Sequence, residues 1–151
     1  MPTQTTTIAA EVIRELIHDR CNAIQNKDVE RATAAFDPDV RSFDVVGPLQ
    51  HLGISKLRRR LQEWLDTFDG PVHYEITDLA IETCDDLAFC HSFNHVTANR
   101  KNGGELDMYW RETLGLKKVD GRWSITHAHS SVPFDPADGK PSLNLKPEQK
   151  L

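Results

Sequence analysis

Two histidines, His127 and His129, are two residues apart in the stretch WSITHAHSS, and the carboxylates Asp44 and Glu112 lie in strand-like stretches that could reach them. On a β-strand a spacing of two points both side chains to the same face, so the pair can address one proton or one ion. Two ligands are too few for a metal ion, and Glu112, Asp44 or His91 would have to complete the set. The expectation is therefore no metal and no cofactor. Acid–base work suits these groups better, because an imidazole in a partly dry pocket titrates near neutrality and a neighbouring carboxylate can orient it. Asp44, His127 and His129 are the expected catalytic residues, with Asp44 or His129 as the base and His127 donating to a developing oxyanion.

The element that must position the histidines is a long β-hairpin from Glu105 to Phe134. Trp110, Glu112, Leu114 and Leu116 alternate on its first arm and Trp123, Ile125, His127 and His129 on its second, with Asp120-Gly121 as the turn. Counting back from that turn pairs Leu116 with Ile125, Leu114 with His127 and Glu112 with His129. One face then carries all of these residues and should be the buried one. A one-residue bulge in either arm would move partners to opposite faces. Trp64, Phe89, His91, Trp110 and Glu112 are expected to line a substrate pocket, and Arg111 joins them as an anion binder if the register slips. The same residues also fit a structural reading, in which Glu112 and the histidines form a satisfied network that fixes the sheet register.

Around the hairpin the chain reads as helix, helix, strand, helix and then long antiparallel strands. Val12, Ile13, Leu16, Ile17, Cys21 and Ile24 repeat at helical spacing, and Asp28 caps a short second helix reaching Phe36. Val40 to Val46 reads as a strand containing Asp44. Ile54, Leu57, Leu61, Trp64, Leu65 and Phe68 mark a third helix. In the strand from Val72 to Thr83 the apolar phase switches near Thr77-Asp78, the signature of a bulge. Leu87, Phe89, His91, Phe93 and His95 share one face of the next strand, and Ala88, Cys90, Ser92 and Asn94 the other. The order predicts an α+β domain over residues 8–134, with a curved antiparallel sheet packed on N-terminal helices, followed by a polar, proline-bearing tail over 135–151.

Composition removes several classes. A net charge of −5 argues against a nucleic-acid footprint. No run approaches the roughly 18 apolar residues of a membrane span, and the polar start MPTQTTTIAA has no secretory pattern, so a cytoplasmic location is expected. Cys21, Cys84 and Cys90, odd in number and without Cys-x-x-Cys spacing, read as free thiols.

The segments FDVVGPLQHLG (Phe43–Gly53), EWLDTFDGPVHYEITDL (Glu63–Leu79), DDLAFCHS (Asp85–Ser92) and DGRWSITHAHSSVPF (Asp120–Phe134) resemble the SnoaL-like, ketosteroid-isomerase-homologue branch of the nuclear-transport-factor-2-like (NTF2-like) superfamily. The resemblance implies a cone-shaped α+β fold. It also implies a cofactor-independent isomerase, cyclase or dehydratase acting on a small apolar carbonyl or hydroxy compound. In ketosteroid isomerase a strand aspartate moves the proton while a tyrosine and a protonated aspartate bind the oxyanion. Asp44 matches the base by strand position, and neither Tyr74 nor Tyr109 matches the tyrosine. The superfamily also contains non-catalytic association domains, so a ligand-binding or homodimeric module stands beside the enzyme reading. A homodimer fits both.

Overall fold

A computed structural model describes residues 4–148. Its elements run α1 (Gln4–Gln25), α2 (Val29–Ala32), β1 (Phe36–Phe43), β2 (His51–Leu52), α3 (Ile54–Leu65), β3 (Phe68–Cys84), β4 (Leu87–Arg100), β5 (Glu105–Val119) and β6 (Arg122–Ser131). The six strands form one sheet in the order β2-β1-β6-β5-β4-β3. It is mixed rather than wholly antiparallel, because β1 joins β6 in parallel. That pairing brings the end of β1, and with it Asp44, beside the second arm of the hairpin.

Asp28 caps α2, its carboxylate accepting from the Arg31 N–H. The helix stops at Ala32, short of the expected Phe36, and β1 begins at Phe36. The strand ends at Phe43, one residue before Asp44, which leaves that carboxylate at the start of an exposed loop rather than within a strand. The expected break in β3 is present as a register shift between Thr77 and Ala80, with Asp78 at φ 57°. At the hairpin turn Asp120 and Gly121 have φ of 51° and 78°, as a two-residue turn with both central residues left-handed requires.

The hairpin register follows the turn only part of the way. Val119 pairs Arg122 and Leu116 pairs Ile125, but Gly115 then pairs His127, so Thr126 is the extra residue of a bulge. From there Leu114 faces Ala128, Thr113 faces His129 and Glu112 faces Ser130. The expected pairs Leu114–His127 and Glu112–His129 are thereby corrected. Trp123 and Ile125 point into the core, and beyond the bulge Ala128 takes the inward place while His127 and His129 turn to the outer face.

Helix α1 closes the concave face of the sheet, burying Ile13, Ile17, Cys21 and Ile24. Ile13 and Ile17 join Phe36, Leu114, Leu116, Trp123 and Ile125 in one core cluster. Cys21 and Ile24 join Leu65, Phe68, Val72, Tyr74 and Val96 in the other. The tail turns back on itself, with Phe134 bridging Pro141 and the Asp135 N–H donating to the Lys140 carbonyl at 2.7 Å.

Candidate functional site

Between the helices and the concave sheet face lies a cavity of about 150 Å³. Alternation decides what it meets. On β5 the even-numbered residues face inward, so Met108, Trp110 and Glu112 line the cavity. On β4 the inward residues are Cys90, Ser92, Asn94, Val96 and Ala98, small or polar side chains that leave room beneath α1. Trp64 and Leu61 of α3, Phe36 and Ser42 of β1, Tyr74 of β3 and Ser130 of β6 complete most of the lining.

The apolar walls are aromatic and mutually braced. The Trp64 and Trp110 rings meet edge to face with centroids 6.2 Å apart, and Trp110 meets Tyr74 at 5.7 Å. The floor is charged. Arg20 of α1 reaches Glu112 with two hydrogen bonds, Nη1 to Oε1 at 2.7 Å and Nη2 to Oε2 at 3.3 Å. Glu112 is 5 % exposed, so this pair is largely dry. Asn94 Nδ2 donates to the Tyr74 hydroxyl at 2.7 Å and to Glu112 Oε1 at 3.1 Å, while the Ser92 hydroxyl donates to Asn94 Oδ1 at 2.7 Å. Every member has a partner, as a buried polar network must.

This network sets protonation states. Burial opposes the Arg20 charge, but the adjoining Glu112 carboxylate outweighs it and raises the guanidinium further. Burial first, and then the Glu112 charge, push the Tyr74 phenol well above its ordinary value, so it stays a proton donor. The same two causes push the Cys90 thiol up to about 12, which favours the protonated thiol at neutral pH. Cys21 is also buried and Cys84 is exposed.

A second charged pair also borders the cavity. Arg60 Nε donates to Asp44 Oδ2 at 2.9 Å, and Asp44 Oδ1 accepts from the Val45 N–H at 2.7 Å. Asp44 also borders an open groove along the loop from Val45 to Gln50, which His129 lines as well.

Of the residues singled out in the sequence, Asp44, Trp64, Trp110 and Glu112 come together around the cavity. The others do not. His127 Nδ1 donates to the Arg41 carbonyl at 2.7 Å, and the Phe43 ring packs edge-on against His127 and His129 at 4.8 and 5.3 Å, all on the outer face. The Thr126 bulge put them there. Phe89 and His91 also face outward, because the inward positions of β4 belong to the small residues. Arg111 is exposed and donates to the Ser131 hydroxyl at 3.1 Å. The slip that would have turned it inward occurs on β6, and β5 keeps its phase.

Sequence reasoning missed Arg20, Asn94, Tyr74 and Arg60. Arg20 carried a signal, since it falls three after Ile17 and four before Ile24 and so lies on the apolar stripe of α1. Among the described residues no group of three or more His, Cys, Asp or Glu side chains is placed to hold a metal ion.

The sequence profile of the SnoaL-like domain matches residues 13–135, most of the chain. The chain belongs to the SnoaL-like family. Its structure is similar to that of an NTF2-like protein of unknown function from Pseudomonas putida KT2440, at 28% identity and a TM-score of 0.85, covering 94% of this chain and 99% of that one. An NTF2-like superfamily protein from Salmonella enterica serovar Typhimurium LT2 shares the fold at 20% identity and a TM-score of 0.77, over 90% of this chain and 99% of that one. So does a protein named provisionally as a scytalone dehydratase from Novosphingobium aromaticivorans, at 16% identity and a TM-score of 0.73, over 82% of this chain and 83% of that one. No curated protein matches the chain. In this SnoaL-like domain the cavity opens between helices and sheet, and no helix among the described residues is long and apolar enough to cross a membrane.

Proposed function

We propose that this SnoaL-like chain binds a small, largely apolar carbonyl or hydroxy compound and moves a proton on it without a cofactor, as an isomerase, cyclase or dehydratase would. One observation carries the reading: the Asp44 carboxylate lines an otherwise largely apolar cavity whose floor also presents the Tyr74 hydroxyl. Asp44 is the base. Its two oxygens are fixed by Arg60 and by the Val45 N–H, so it meets the ligand in one orientation. On a ketone the C–H bond α to the carbonyl breaks, the proton goes to Asp44, and the electron pair moves to the carbonyl oxygen as an enolate. Tyr74 accepts from Asn94 and keeps its own O–H to donate to that oxygen. As negative charge leaves Asp44 for the ligand, Arg60 remains close to balance it. Glu112 is held by Arg20 and orients the floor rather than taking the proton.

The outer face supports a second part of the proposal, a homodimer. It carries Phe89, His91, Phe93, His127 and His129, with Phe89 46% exposed, a surface rich in aromatic and imidazole rings that a second copy would cover. Light scattering gives the mass directly. If the cavity takes no ligand and only the dimer is found, the association reading replaces the enzyme.

The test of the chemistry is deuterium incorporation into small cyclic ketones in D₂O, followed by NMR. Asp44→Asn should lower the enzyme-dependent rate by about 10² or more while leaving the melting temperature and ligand affinity close to those of the wild type. Unchanged exchange in that variant would remove Asp44 as the base.

A further inference from the structure

Resting on the proton-transfer reading of this cavity, we infer that its substrate is uncharged, built on a single six-membered ring, and carries one carbonyl or hydroxyl oxygen beside the reacting carbon. Size sets the first limit. The cavity holds about 150 Å³, and an apolar cavity of about that volume takes one benzene ring. A fused second ring would have to displace Trp64 or Trp110, and these brace each other edge to face while Trp64 also packs on the buried Phe68 at 5.0 Å. The walls resist expansion.

Charge sets the second limit. Two cations line the cavity, and each is already matched by a carboxylate of the same lining: Arg20 by Glu112, and Arg60 by Asp44. An anionic ligand meets two guanidinium charges that are each already neutralised by a carboxylate, so its own charge enters the cavity without a free countercharge, and displacing Glu112 from Arg20 would strand a carboxylate in a largely dry site. A cationic ligand meets the mirror-image difficulty. A neutral ketone disturbs neither pair, and during reaction the single negative charge passes from Asp44 to its oxygen with the total unchanged. Hydroxyls at Ser42, Ser130 and Tyr74 are the groups left to hold an oxygen.

The experiment compares cyclohexanone with 4-oxocyclohexanecarboxylate, the same ring with a charge, and with 2-decalone, a neutral ketone with a second ring. Binding is read by calorimetry and by the fluorescence of Trp64 and Trp110, which line the cavity; deuterium exchange is read in parallel. Cyclohexanone should bind at least about tenfold more tightly than either analogue. Met108→Ala, which widens the lining, should recover about tenfold for 2-decalone and nothing for the carboxylate. The inference is overturned if the carboxylate or 2-decalone binds the wild type as tightly as cyclohexanone, or if cyclohexanone shows no binding at millimolar concentration. The two readings separate cleanly. Selective binding of cyclohexanone with exchange no faster than in Asp44→Asn sinks the proton-transfer reading and leaves the size and charge limits. Exchange that is faster on either analogue sinks the limits and leaves the chemistry.

Discussion

Replacing Glu112 by Ala removes one half of an ion pair whose side chains are 5% (Glu112) and 15% (Arg20) exposed. The Arg20 guanidinium cannot discard its charge, so it remains within the core without an acceptor for the two bonds it now makes at 2.7 and 3.3 Å. Breaking a buried pair this way costs about 3–5 kcal/mol, and Asn94, which loses its Oε1 acceptor, adds about 1 kcal/mol. For a domain of this size each kcal/mol moves the melting temperature by about 2–4 °C, so a fall of about 10 °C or more is expected. Urea denaturation checks the energy, and an unchanged slope shows that the variant still unfolds in one step. The paired variant Arg20→Met with Glu112→Leu removes both charges and should regain most of the loss, because a buried pair exchanged for apolar groups of similar volume is about neutral. A single variant that loses less than about 1 kcal/mol, or a double variant less stable than the single, would refute the claim that this pair is dry and mutually dependent.

His95 on the outer face is held between Glu75 and Asp107, at 2.9 and 2.6 Å, and stacks on Tyr109 at 4.0 Å. Burial opposes its charge, but the hydrogen bonds and charges of the two carboxylates outweigh it and hold the ring above the usual histidine value. Stability from this cluster is therefore full below the unfolded-state value of about 6.5 and is lost as pH rises through the higher folded-state value. With both carboxylates more than half exposed, the contribution is about 1 kcal/mol: between pH 6 and 9 the wild type should lose about 2–4 °C more than His95→Gln, and parallel profiles would refute it. Tyr74→Phe removes the floor hydroxyl but keeps the ring against Trp110, so exchange should fall about 10²-fold with little change in cyclohexanone affinity. Deleting Thr126 removes the extra residue and leaves Gly115 opposite His127 and Leu114 opposite Ala128, so both histidines keep the outer face; the variant should still fold, with a near-ultraviolet circular dichroism spectrum close to that of the wild type, and a loss of folded protein would refute this register.

How far the sequence carried the structure depends on whether side-chain type marks the buried face. In α3 it does: Ile54, Leu57, Leu61 and Trp64 repeat at helical spacing, and the helix is found there. After Ile125 it does not. In THAHSS the alternate positions are histidines against a small alanine and a serine, so the sequence offers two phases of similar apolarity and the turn alone decides the count. A single extra residue then reverses it, and both histidines leave the site. On β4 the signal was present but pointed outward. Phe89 and Phe93 are the larger apolar residues, yet Cys90, Ser92 and Asn94 face the helices, because that face serves a cavity and a charged floor instead of a close-packed core.

Arg20 shows what would have found the floor. A guanidinium on the apolar stripe of a helix, between Ile17 and Ile24, can be buried only if a carboxylate arrives from the facing element. Helix α1 faces the sheet. Glu112 lies on a strand whose apolar alternation, Met108, Trp110, Leu114 and Leu116, leaves an acidic residue at an inward position. Two charges, each out of place in its own element, therefore imply one another across the core. Their pairing fixes which side of β5 meets α1, and with it the side on which the cavity lies.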